Sequence, residues 1–182
     1  FVFSQQTNDD SYLELLTEFL QQYPNSMDGY IRRANYYLSK KDDSLYPLAN
    51  EDLKKAMDIA PNKEEANFQA AKAIYVYLIS LEEGKEPFEA WSYDKALELI
   101  RNNKDTEQPL YIQLEGDILF AQGKYAEAFT CYEKVNQSHL KSAETFYSAA
   151  KTKQLIEGSD INEVLALMDS TIAQLNKPYL SE

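Results

Sequence analysis

Histidine, cysteine and tryptophan each occur once in this chain of 182 residues, as His139, Cys131 and Trp91. A single cysteine excludes an intrachain disulfide, and one histidine with one cysteine excludes a zinc site assembled within the chain from nitrogen and sulfur ligands. A nucleophile–histidine–acid hydrolase would have to depend on His139, which lies in the polar segment Asn-Gln-Ser-His-Leu and reads as a surface residue. Cys131 falls inside a helical pattern and reads as a small buried apolar side chain rather than a reactive thiol. Glycine (5) and proline (6) are too few for a loop-rich or collagen-like chain. Long apolar runs are missing too. The longest, Ala73 to Leu81, already contains Ser80 and is far short of the roughly 20 residues a bilayer-spanning helix needs. Basic residues number 18 against 30 acidic ones, for a net charge of −12, and no Lys/Arg cluster could track a phosphate backbone, so nucleic acid is not an expected partner.

What is present is ordinary for a globular protein, with 44% hydrophobic and 26% charged residues. A chain of this size buries roughly 70% of its unfolded surface and forms one domain by default. Fourteen Tyr and eight Phe suit helix packing in which rings fill holes and hydroxyls reach water or a partner. Carboxylate neighbours such as Asp42-Asp43, Glu51-Asp52, Glu64-Glu65 and Glu82-Glu83 are what 30 acids produce by abundance, and adjacent helical residues point apart. They read as solvated surface rather than as a glycosidase pair. The alternating acids of a calcium loop, a P-loop and GxGxxG are all absent, so no catalytic residue, cofactor or metal is expected.

Residues 1–10 differ in character from the rest of the chain. Phe-Val-Phe-Ser is apolar with a small residue at its end, and polar residues come directly after it. Residues 1–4 read either as a signal-peptide remnant, placing the protein in a bacterial periplasm or at an outer membrane, or as a boundary within a larger protein, leaving it cytoplasmic. Residues 1–10 are expected to be disordered and 11–182 to form a single helical domain.

From residue 11 on, apolar residues recur at three- and four-residue steps. A first helix is expected from Ser11, where Ser11 and Glu14 have capping-box spacing, to Tyr23 before Pro24. Tyr30, Ala34 and Tyr37 mark the next, and Ala49, Leu53 and Ala56 its partner before Pro61, with extra residues in the turn from Ser39 to Pro47. Ala70, Ala71 and Ile74 begin a helix expected to run through Leu81, with a loop around Gly84 to Pro87 after it. Phe88 and Trp91 lie in that insertion, before a helix marked by Tyr93, Ala96 and Ile100. The last pair begins at Ala143 with Phe146, Ala149 and Ala150, turns near Gly158, and restarts at the Asp160–Glu163 capping spacing to continue through Leu165, Met168 and Ile172 to Leu175, with polar replacements that suggest an outer face meeting water.

Between Ile112 and Tyr132, Gly116 and Ala128 are small where two helices would cross, Gly123 stands where the chain would reverse, and Tyr125 and Tyr132 complete the phrase. Three looser copies lie elsewhere. The phrase resembles the tetratricopeptide repeat, whose motif runs aromatic, Leu, Gly, Tyr, then Ala and an aromatic. Ile112 and Glu115 depart from it, standing where the family has an aromatic residue and Leu. Equivalent small residues Ala34, Ala71, Gly116 and Ala150 are 37, 45 and 34 residues apart, against a family period of 34. The resemblance is to a bacterial type with divergent, insertion-bearing repeats. It implies an all-α, right-handed solenoid of antiparallel helix hairpins acting as a noncatalytic module that binds a protein or peptide, as scaffold or accessory subunit.

The family's groove positions carry over to Ile31, Asn35 and Leu38, to Phe68, Lys72 and Tyr75, to Gln113, Asp117 and Phe120, and to Tyr147 and Lys151. Rings would supply contact area and polar groups would fix the orientation of an extended peptide. Only Asn35 fits well the Lys, Asn and Arg set with which some members clamp a terminal carboxylate. A second reading is an envelope protein that binds carbohydrate or a small molecule, with Trp91, Phe88 and nearby tyrosines as exposed platforms. It requires Trp91 at the open rim of a pocket.

Overall fold

The structure, a computed structural model, describes residues 2–102 and 107–176, with the backbone alone for residues 2–10. Among the described residues all regular structure is helical: α1 (Val2–Gln22), α2 (Met27–Ser39), α3 (Tyr46–Ile59), α4 (Lys63–Ile79), α5 (Tyr93–Arg101), α6 (Pro109–Ala121), α7 (Tyr125–Asn136), α8 (Ala143–Gln154) and α9 (Ile161–Leu175). They belong to two compact units, Phe1–Lys104 and Asp105–Glu182. In the first, α2 pairs with α3 and α4 with α5, α1 lies on α2, and α2 and α4 touch directly. In the second, α6 pairs with α7 and α8 with α9, and α7 joins the pairs. Each pair is an antiparallel hairpin; three are closed by short connections and α4–α5 by the longer insertion of residues 80–92, and the architecture is the expected all-α stack of hairpins.

Local chemistry sets most helix boundaries. Ser26 accepts from the Gly29 amide, Asn62 from those of Glu64 and Glu65, Ser92 from Lys95 and Asp160 from Asn162, each satisfying a first-turn donor that has no intrahelical partner. Ser142 and Thr145 form a reciprocal capping box at α8. Gly123, at φ 75°, takes the left-handed conformation that reverses the chain between α6 and α7. The extra residues after α2 fold into a 3₁₀ turn, Asp43–Leu45, and Pro47 lies in the first turn of α3, where a missing N–H costs nothing.

Small residues sit where helices cross. Ala34, Ala49, Ala66, Ala71, Ala96, Ala128 and Ala149 are fully buried, with Leu53, Ile100, Ile118, Leu119 and Val135 filling the space between them. A side chain on Gly116 would place its Cβ 3.0 Å from Cys131 Cβ and 3.1 Å from Tyr132 Cε1, so α6 and α7 approach as closely as they do only because that position is bare. Arg33 of α2 donates from Nε and Nη2 to the two carboxylate oxygens of Asp52 on α3, both at 2.8 Å, and this fork sets the register of the first hairpin.

Three expectations are corrected. α1 begins at Val2, so residues 2–10 continue the helix and Ser11–Glu14 lies within it rather than at a cap; the side chains of residues 1–4 lie outside the described residues. α4 ends at Ile79, two residues before Leu81, where Ser80 turns its hydroxyl onto the Tyr77 carbonyl. The exposed surface of α9 is mixed rather than polar throughout: Asn162, Glu163 and Asp169 meet water, and so do Ile161, Leu165, Ile172 and Leu175.

Candidate functional site

α2 and α4 are first helices of successive hairpins, and a groove of about 440 Å³ runs between their C-terminal halves. From α2 come Asn35, Leu38 and Ser39, with Lys41 just past its end. From α4 come Gln69, Lys72, Ala73, Val76 and Tyr77, with Ser80 next to its end. The α4 residues fall at i, i+3, i+4 and i+7, one face of a helix. Val76 is 50% exposed, an uncovered apolar side chain on the groove wall, and Leu38 faces it from α2 half-buried. The Gln69 carboxamide donates to Glu65 at 2.7 Å, which leaves its oxygen as an acceptor at the groove. Lys41 and Lys72 are exposed and are the only charged side chains on the lining among the described residues. Lys41 holds a φ of 53°, a left-handed conformation that a residue with a Cβ adopts at a cost of about 1 kcal/mol.

One end of the groove is bounded by the insertion between α4 and α5. A further space of about 60 Å³ shares Leu38, Lys41, Tyr77 and Ser80 with the groove and is walled by Tyr46, Leu81, Glu82 and Lys85. Beyond Lys85 the side chains of Phe88 and Trp91 turn inward, while Glu86, Pro87, Glu89 and Ala90 stay exposed. The Phe88 amide donates to the Tyr77 hydroxyl at 2.8 Å, and Trp91 Nε1 donates to Asn50 Oδ1 on α3 at 3.1 Å. The rings of Tyr46, Tyr77, Phe88 and Trp91 interlock, with the Tyr77–Trp91 and Phe88–Trp91 centroids each 5.0 Å apart in edge-to-face geometry. Burial, with Tyr77 and Asp43 nearby, pushes the Tyr46 phenol above its ordinary pKa. Lys85 meets Asp43 at 3.4 Å on the surface.

This packing answers the carbohydrate reading. Trp91 is 3% exposed, at the centre of an internal aromatic cluster, and offers no open platform for a sugar. Two tyrosines contributed by α3 and α4 draw the end of the insertion under, where the carbohydrate reading needs it on the surface.

Of the six groove positions carried over in the first unit, Asn35, Leu38 and Lys72 line the groove. Ile31 is buried between helices, and Phe68 and Tyr75 are half-buried and lie off the lining. Ser39, Lys41, Gln69, Ala73, Val76, Tyr77 and Ser80 are not among the carried-over positions. For Gln69 and Val76 the signal in the sequence is their i, i+3, i+7 spacing with Lys72; the sequence carries no such signal for Ser39 and Lys41. In the second unit, Lys151 of α8 lies over the Phe120 ring of α6 at 5.0 Å, a cation–π contact bridging two candidate residues. Tyr147 is exposed and Gln113 half-buried. Asp117 is engaged internally, accepting from the Tyr132 hydroxyl at 2.7 Å. Among the described residues no three His, Cys, Asp or Glu side chains converge as metal ligands, and no helix is long and apolar enough to cross a membrane.

Paired helices crossing at small residues, with a groove between first helices, define a tetratricopeptide-like helical-repeat fold. Solved structures agree. A crystal structure of MamA, a protein of tetratricopeptide-like fold, superposes with a TM-score of 0.67 at 14% identity, covering 94% of this chain and 91% of that one. A second MamA structure gives 0.65 at 14% identity, over 98% and 92%. No family model and no curated protein matches the sequence. At this identity the likeness concerns the fold.

Proposed function

We propose that this protein is a noncatalytic interaction module that holds an extended segment of a protein partner in the groove between α2 and α4. The observation that carries this reading is the groove's mixed lining: Val76 and Leu38 offer apolar area, while the Asn35 and Gln69 carboxamides can pair with a peptide backbone. An extended chain alternates its side chains, so one set would meet the apolar wall while its backbone met the amides. The MamA-like fold supports the reading, since stacked hairpins present such surfaces repeatedly.

The test is occlusion. Val76→Arg fills the groove from an exposed position and should leave far-UV circular dichroism and melting unchanged. Peptides selected from a displayed library by the wild-type chain should lose binding to V76R at least tenfold. Undiminished binding to folded V76R would reject the groove.

A further inference from the structure

We propose that the segment taken by this groove is acidic, with a carboxylate of the partner seated between Lys41 and Lys72 and a neighbouring apolar side chain against Leu38 and Val76; this rests on the groove reading above. The chain carries a net charge of −12, yet the charged groups on the groove lining are two lysines and no carboxylate. Neither ammonium forms an ion pair among the described residues. The nearby Glu65 is engaged with Gln69 one helical turn away, and at the insertion end Lys85 faces Asp43, so Glu82 is the single carboxylate on the adjoining wall. The two lysines repel cationic segments and favour an acidic one.

The backbone supplies a second, independent reason. Lys41 occupies a left-handed position just past the end of α2, where glycine is the unstrained choice, and that conformation sets the lysine at the groove's mouth. Strain retained at a binding surface is the pattern expected of a functional side chain. The ends of α2 and α4 point their partial negative charge the same way, which would oppose an anion placed at the last turn. Lys72 lies seven residues before Ile79, about 10 Å along the helix at 1.5 Å per residue, beyond the reach of that end effect. Lys41 offsets it at the end itself.

A displayed library of random ten-residue peptides, selected on the full chain at low salt, tests this. Enrichment of Asp and Glu beside apolar residues is expected, with affinity falling about five- to tenfold for Lys41→Gly and again for Lys72→Gln, and falling with added salt. Lys41→Gly relieves the left-handed strain, so it should melt no lower than wild type, and lost binding cannot be blamed on misfolding. Neutral apolar peptides that V76R rejects would keep the groove and overturn the acidic partner. Acidic peptides that bind K41G and K72Q undiminished would overturn it as well, whereas peptides indifferent to V76R, or no enrichment at all, would overturn both readings. If the wild-type chain instead self-associates and V76R makes it monomeric, the occupant is a second copy and the proposal falls.

Discussion

Tyr132 on α7 donates its phenolic hydrogen to Asp117 Oδ1 on α6 at 2.7 Å, so a carboxylate placed by the repeat pattern on a binding face is bound within its own hairpin. Burial raises the Asp117 pKa; the Tyr132 hydrogen bond opposes this, and Glu144 adds to it.

A carboxyl whose folded pKa is raised takes up its proton more readily folded than unfolded. Its contribution to stability is therefore present in full below the ordinary 3.8 and is lost as pH rises through the raised native value. Asn at this position accepts from Tyr132 without a buried charge. Asp117→Asn should melt at or above wild type at pH 7, and the gap should narrow as the pH falls towards 4. Thermal melts across that range check this; a gap that widens in acid would contradict it.

Gly116→Ala should destabilise the protein even though alanine favours helices by about 1 kcal/mol. The new Cβ would meet Cys131 Cβ at 3.0 Å, an atom fixed to the α7 backbone, and the ring of Tyr132, which Asp117 holds in place. Overpacking of this kind costs about 1–3 kcal/mol. At Gly29 the nearest obstacle is Leu20 Cδ2, the end of a flexible side chain, so Gly29→Ala should lose less. Urea denaturation of the two variants ranks them.

The Arg33–Asp52 fork joins α2 to α3, and Asp52 is 5% exposed. Hydrogen bonding to Asp52 is the leading reason that the Arg33 guanidinium holds its proton more tightly than usual. Asp52→Ala leaves that guanidinium half-covered and unmatched, and should cost about 2 kcal/mol. Replacing both residues, as Arg33→Met with Asp52→Leu, should recover much of the loss, because two desolvated charges are removed together. A double-mutant cycle by chemical denaturation measures the coupling.

Trp91 is the only tryptophan and is buried, so its emission should be blue-shifted in the native protein and unmoved by a panel of glycans. Asn50→Ala removes the acceptor from its indole N–H and should cost about 1–3 kcal/mol. Tyr77→Phe frees the Phe88 amide, and limited proteolysis should then cut within residues 80–92 sooner than in wild type, with helix content unchanged.

How far the fold is legible in the sequence depends on how far apart the deciding atoms lie. Gly123 and Asp160 mark a turn and a cap through contacts made within a few residues, and each stands where the spacing places it. The start of α1 is not legible in this way, because Gln5 to Asp10 carry no apolar periodicity and Ser11–Glu14 imitates a cap. At the groove the repeat pattern finds Asn35, Leu38 and Lys72, but neighbouring helical residues differ in direction by about 100°. An alignment placing Phe68 and Tyr75 beside Lys72 therefore misses Gln69 and Val76. Nothing local to Asp117 announces Tyr132, fifteen residues away on another helix.

Hairpins, caps and the small residues at crossings are written into the order of amino acids, since a helix turn is satisfied by residues three or four positions away. The burial of Trp91, the uncovered wall of Val76 and the pairing of Lys41 with Lys72 on one groove arise from packing. Asn50 and Trp91 are 41 residues apart and meet only when two helices and a loop close on one another. The solvent exposure of a ring or an ammonium is a property of such neighbours, and no window along the chain contains them.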